Sequence, residues 1–181
     1  TIDVLNALGL RASAVGNHEF DGGFADLTDR VVPASDFEYL GANVYLKGTT
    51  TPALPEYTIL DVNGVKVAVI GAVTEETGTL VSPGGIATLE FGDPVEAVNR
   101  VAERLEAEGL ADVIIAEYHE GAGSGTPDGA TLEEEIAGGG AFAEIVTETS
   151  ALVDAIYTGH THKQYAWDAP VPGVEGKTRP I

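Results

Sequence analysis

The sequence carries only four histidines, and each stands in a distinctive setting. His18 lies in GNHEFDGG (16–23), His119 closes DVIIAEYH, and His160 and His162 share YTGHTH. An imidazole nitrogen is a borderline-soft donor suited to zinc, manganese or iron, and it also carries protons near neutral pH. Asn17, Glu19 and Asp21 set an amide oxygen and two carboxylates around His18, the harder donors that fill out such a site. Cysteine is absent, which removes thiolate nucleophiles, disulfides and Cys-type zinc sites together. Any metal must therefore be held by nitrogen and oxygen.

The elements that position these residues are legible in the apolar periodicity. Ile2, Leu5 and Leu8 are three apart and predict a helix, ASAV (12–15) reads as a short buried strand, and FADLTDRVV (24–32) returns to helical spacing. YLGANVYL (39–46) is strand-like. Asn63-Gly64 between two β-branched runs predicts a type I′ hairpin of strands 57–62 and 65–73. In GDPVEAVNRVAERLEAEGL, Asp93 is the expected N-cap, Pro94 the first helical residue, Glu96 the return arm of a capping box and Gly109 the stop. ADVIIAEYH then reads as an apolar strand. The glycine-rich segment 121–140 is expected to be a mobile loop with at most one helical turn at 132–136, and a further helical piece and the strand VDAIYTGHTH follow. Strands alternating with helices, with one hairpin embedded, predict an α/β domain with mixed sheets. Every histidine falls at or just past the carboxyl end of a strand, the edge where open α/β sheets bind ligands. Three strands delivering imidazole to one edge would build a convergent metal site.

At 181 residues the chain is long enough for one domain with a sizeable core. It has no apolar run of the roughly 18 residues that a membrane-spanning helix needs. Twenty-nine acidic against nine basic residues give a formal charge of −20, which argues against a nucleic-acid or anionic-membrane surface and for a solvated acidic exterior. TIDVLNALGL reads as the middle of a helix and GKTRPI stops on an apolar residue, so we expect a piece of a longer protein.

GNHEFDGG, a strand ending in YHEGA, and DAIYTGHTHKQY, in that order, resemble the later motifs of the calcineurin-like metallophosphoesterases, in particular the bacterial 5′-nucleotidase branch. NVYLKG, PALPEY and LVSPGGI add to the likeness, which covers essentially the whole chain. The resemblance implies a four-layer α-β-β-α sandwich with mixed sheets, of which residues 1–181 form a partial metallophosphatase domain with the N-terminal portion missing and no second domain. It also implies two divalent metal ions (zinc, manganese, iron or similar) about 3.5–4 Å apart, which clamp a phosphate and lower a water's pKa to roughly 7 for in-line attack on phosphorus. By position, Asn17, His119 and His160 resemble ligands of one metal and His162 a ligand of the other. His18 resembles the catalytic imidazole that stabilises the phosphoryl group or protonates the leaving alkoxide. Glu19 and Asp21 are expected to fix the turn or orient an imidazole, and Tyr118, where a small residue is usual, to narrow the pocket beside one metal.

Two motifs of the family are not found. Nothing before Gly16 matches its opening Asp-x-His or its bridging Gly-Asp, and Gly92-Asp93 comes too late and is explained as a helix cap. One site thus keeps three protein ligands and the other only His162, so partial or no metal occupancy and little activity are expected of this chain alone. The implied substrate is a nucleotide or other phosphoester, with nucleoside 5′-monophosphates ahead of 2′,3′-cyclic nucleotides, nucleotide sugars and a sulfur-oxidation thiohydrolase substrate. The implied partners are a missing N-terminal segment and a C-terminal substrate-binding domain, and the implied location is secreted or cell-surface. The competing readings are a noncatalytic metal-binding or scaffold module without the bridging Asp, and a structural mononuclear site.

Overall fold

The computed structural model describes all residues from Thr1 to Ile181. Helix α1 (Ile2–Leu8) ends at Gly9, whose φ of 74° supplies the left-handed C-cap. Strand β1 (Ala12–Ala14) leads into a 3-10 turn over Asn17–Phe20. Helices α2 (Phe24–Asp26) and α3 (Val32–Ala34) flank a π-helical turn at Leu27–Val31, so the stretch is helical as its spacing predicts. Strands β2 (Glu38–Leu40) and β3 (Val44–Leu46) precede the hairpin of β4 (Tyr57–Val62) and β5 (Val65–Val73). The hairpin has the predicted bounds, and Asn63 and Gly64 both carry positive φ, 55° and 89°, as a type I′ turn requires.

Helix α4 (Thr77–Leu80) and strand β6 (Leu89–Phe91) lead to α5 (Pro94–Ala107), which is capped by Asp93. Strand β7 (Val113–His119), helices α6 (Leu132–Gly138) and α7 (Ala141–Glu148), and strands β8 (Ala155–Thr158), β9 (Asp168–Pro170) and β10 (Thr178–Pro180) complete the chain.

The main sheet has the order β4-β5-β7-β8, with β4 antiparallel to β5 and the other pairs parallel. Alternation along β5 and β7 divides its faces. Ala68, Ile70, Ala72, Ile114, Ala116 and Tyr118 are buried in one core with Val98, Val101 and Leu105 of α5 and Ile145 of α7. The opposite face meets the parallel pair β1–β2 so closely that a Cβ on Gly71 would stand 2.5 Å from Leu40 Cβ. Beyond that pair, Ile2 and Leu5 of α1 and Phe24, Val31 and Val32 pack on a second core that includes Val15, Phe37 and Tyr39. The layers are therefore helix, sheet, sheet, helix, with mixed strand directions, as expected.

Four local expectations need correction. YLGANVYL does not run as one strand: it breaks at Gly41, where an added Cβ would sit 3.0 Å from Leu54 and Val44, and its halves join different sheets. Glu96 makes no return bond; Asp93 Oδ1 alone accepts, from the Val95 and Glu96 N–H groups at 2.7 and 2.9 Å. Segment 121–140 is not all loop, because Thr131 and Glu134 form a reciprocal capping box that starts a full helix, α6. Tyr118 does not narrow the site. It is buried on the helix-facing side of β7, with its hydroxyl 2.9 Å from Thr149 Oγ1, while its neighbour His119 faces the other way.

Candidate metal centre

Three chain segments end together at the carboxyl edge of the sheets. The first is the turn after β1. It is anchored by Phe20, fully buried and edge-on to Phe91 at 5.2 Å, and by Glu19, whose carboxylate accepts the Gly16 N–H at 2.6 Å. Asn17 is buried at its foot. His18 projects outward with a side chain 76% exposed, and its Nδ1 lies 2.9 Å from Asp21 Oδ2. The carboxylate can only accept, so Nδ1 donates there and Nε2 is left without a protein partner.

The second segment is the end of β7. His119 Nε2 lies 3.0 Å from Asn17 Oδ1, across 102 residues of sequence. The ring rests on bare backbone, since a Cβ at Gly16 would stand 2.6 Å from its Cε1. Burial, foremost, and then His160 bring its pKa from 6.5 to about 4; Glu120 opposes this, and His18 and His162 add to it. His119 is therefore neutral at physiological pH, as a metal ligand must be; without metal its Nε2–H donates to the Asn17 amide oxygen, and an ion taken at Nε2 would need that proton moved to Nδ1. All three other imidazoles are close enough for their fields to be felt there.

The third is the loop after β8. The His160 and His119 rings are 5.0 Å apart between centroids, inclined at 58°. His160 and His162 both adopt left-handed backbone, with φ of 68° and 59°. Such conformations cost non-glycine residues of order 1–3 kcal/mol and collect at functional sites. The loop is held by the Gly159 N–H to Glu120 O at 3.2 Å and by the Thr161 N–H to Gly159 O at 2.7 Å.

Of the predicted site residues, the structure brings Asn17, His119 and His160 into one group. His18 and His162 reach that group through their fields and make no hydrogen bond to it. No three His, Asp or Glu side chains are arranged to hold a single ion. The trio that does gather needs the Asn17 amide oxygen as a member.

Two features were not singled out in the sequence. Glu117 is the one charged residue inside the strand VIIAEYH, and alternation with His119 could have placed it on the site's side. A hollow of about 440 Å³ beside His160 and Thr161 is lined by Glu76, Glu120, Glu134, Glu135 and Phe142. The acidic run of α6 was visible in the sequence; its return to His160 depends on the tertiary fold.

This fold is the metallophosphatase sandwich. No family model matches the sequence. Endonuclease YhcR of Bacillus subtilis is 31% identical over 175 residues, 90% of this chain and 14% of its own length. The 5′-nucleotidase of Vibrio vulnificus is 31% identical over 166 residues, 92% of this chain and 29% of its own length. Among solved structures, the 5′-nucleotidase precursor of Thermus thermophilus superimposes with a TM-score of 0.73 at 26% identity, over 98% of this chain and 33% of that one. The calcineurin-like phosphoesterase YfkN of Bacillus subtilis gives 0.63 at 30% identity, over 89% and 48%. In sequence and fold the chain is similar over most of its length to 5′-nucleotidases and calcineurin-like phosphoesterases, as a fragment of that family is. It spans less than a third of the length of the two curated relatives.

Proposed function

We propose that the intact protein is a divalent-metal-dependent phosphoester hydrolase acting on nucleotides, with residues 1–181 forming part of its metallophosphatase domain. The observation that carries this reading is the meeting of the Asn17 amide oxygen, His119 Nε2 and the His160 ring. These donors fit a divalent ion. The amide oxygen and the imidazole nitrogen approach to 3.0 Å, and the His119 ring is held neutral by burial and by its neighbours. Asn17, His119 and His160 would hold one ion, and His162 would contribute to a second whose remaining ligands lie outside this chain. Bound there, the ions supply charge neutralisation on a phosphate and acidify water.

This chain's own residues do the rest. The turn from Gly16 to Asp21 presents His18, with Asp21 on Nδ1, so that Nε2 can hold a proton against a phosphoryl oxygen or deliver it to the leaving alkoxide. Glu120 and the Gly159 backbone fix the loop that carries His160. A secreted or cell-surface location and a C-terminal substrate-binding domain belong to the same reading. Nucleoside 5′-monophosphates are the lead substrates, as the names of the nucleotidase relatives favour. The relative named an endonuclease adds phosphodiesters to the field, against which the charge of −20 weighs for long nucleic acids.

The test is a screen of the intact protein, with added manganese or zinc, over 5′-mononucleotides, 2′,3′-cyclic nucleotides, nucleotide sugars and a phosphodiester. His18→Ala should lower kcat by about 10²–10⁴-fold with metal content near wild type, whereas His160→Ala should lose metal. Loss of metal in His18→Ala would refute this division of roles. The second reading, a noncatalytic metal-binding or scaffold module, is favoured by the lack of any three-residue His, Asp or Glu ligand set. Metal binding without hydrolysis of any substrate in the screen would establish it.

A further inference from the structure

Glu117 is a half-buried carboxylate with no cationic partner in the middle of an otherwise apolar strand. Desolvating such a group costs free energy unless its bonds repay it. Its one hydrogen bond runs between layers: Oε2 accepts the N–H of Ala14, the last residue of β1, at 2.9 Å. The direction of that N–H follows from the pairing of β1. Val15 donates to Leu40 O and Arg11 O accepts from Glu38, so the odd-numbered residues serve β2 and Ala14 faces the edge that no strand covers. On the same edge, Ser13 Oγ donates to the Ala14 carbonyl at 3.1 Å.

The position of this bond matters more than its strength. Two residues beyond Glu117 stands His119, and three beyond Ala14 stands Asn17, the pair that meets at 3.0 Å. The same two segments are thus tied twice in succession, first by Glu117 to Ala14 and then by His119 to Asn17. A tie one step behind the contact sets how far β1 slides along β7, and so whether the amide oxygen arrives at the imidazole. We propose that Glu117 is a positioning residue, which pins β1 to β7 so that Asn17 and His119 form one donor pair. This rests on the metal-centre reading above only for its consequence, not for its geometry.

The test uses the 181-residue chain with two readouts. One is the nuclear Overhauser effect between the Asn17 side-chain amide and the His119 ring, measured without metal; the other is zinc affinity by calorimetry. Glu117→Leu fills the space with an apolar side chain but cannot accept the amide. It should abolish the Overhauser effect and weaken zinc about 10- to 100-fold, the range seen when groups that orient metal ligands are removed. Glu117→Gln keeps an acceptor oxygen and should restore both to within a few-fold of wild type. Glu117→Ala repeats the test should leucine disturb the fold. A wild-type chain that binds no zinc, together with an Overhauser effect that vanishes in Glu117→Leu and persists in Glu117→Gln, would refute the metal reading and leave the positioning role standing. Persistence of the effect in both Glu117→Leu and Glu117→Ala would overturn the proposal, as would its disappearance in Glu117→Gln as completely as in Glu117→Leu. Self-association of Glu117→Leu with the Asn17–His119 pair intact would also overturn it, making the residue a guard of the free edge instead.

Discussion

His119 is useful because it is hard to protonate. Unfolded, it takes up a proton near its ordinary pKa of 6.5; folded, it does so only near 4. Between those values the unfolded chain binds more protons. The stability linked to this group is therefore complete above pH 6.5 and is lost as the pH falls to about 4. We expect the urea midpoint of the metal-free wild-type chain to fall over this window more steeply than that of His119→Gln. Burial raises the pKa values of Glu75 and Glu117, which act in the opposite sense in both chains, so they cancel in the comparison. A second expectation concerns Asp21: in the intact protein, Asp21→Asn should lower kcat about ten-fold or more while metal content stays constant, since the bond it alters orients the His18 ring. At this scale the sequence marks side chains by type and motif and does not say which way they face. His18, His119 and His160 stood out by type and motif, whereas Tyr118 was misjudged because its alternation with His119 along β7 was not applied to it.

Elements closed by a local chemical signal were the readable ones. Asn63-Gly64 demands two left-handed residues, and both strand bounds followed from it. Asp93-Pro94 opens α5 by the same kind of local rule. We expect Asp93→Ala to destabilise the chain by about 1 kcal/mol, seen as a lower denaturant midpoint with an unchanged m-value. Glu96→Ala should be nearly neutral because its reciprocal arm is not made. Elements decided at long range were not readable. The chain breaks at Gly41 because β2 must pair with β1 while β3 pairs with β6. The hairpin β9–β10 depends on Arg179, buried beneath it and bonded through Nη1 and Nη2 to the carbonyls of Ser150 and Thr149. Nothing near Arg179 in the sequence announces those partners. Helix α5 is clamped from outside by Glu56, which takes Arg100 at 2.6 Å and Arg104 at 2.7 Å.

For the whole molecule, 29 acidic residues against nine basic ones make self-repulsion the main surface term. Five of the basic side chains are engaged in ion pairs or buried, namely Arg30, Arg100, Arg104, Lys163 and Arg179, so little free positive charge offsets it. Raising sodium chloride from about 20 to about 500 mM should therefore raise the Tm by several degrees, the reverse of what surface ion pairs alone would give. The four-layer order and the gathering of histidines at one edge were legible because strand direction dictates where strand ends go. The trio of Asn17, His119 and His160 was named from the family resemblance; the distances within it were not legible, because they depend on how closely two sheets approach.

That approach has a consequence at Gly16. The floor under the His119 ring is peptide, with no side chain between, and one added carbon there would stand 2.6–2.8 Å from three ring atoms. Gly16→Ala should tilt the imidazole off its seat and part it from Asn17, seen as loss of the Overhauser effect between the two side chains, without touching a single donor atom. The fit of ring to backbone is thus written in a missing methyl group, and a variant that keeps every polar side chain can still lose the pairing.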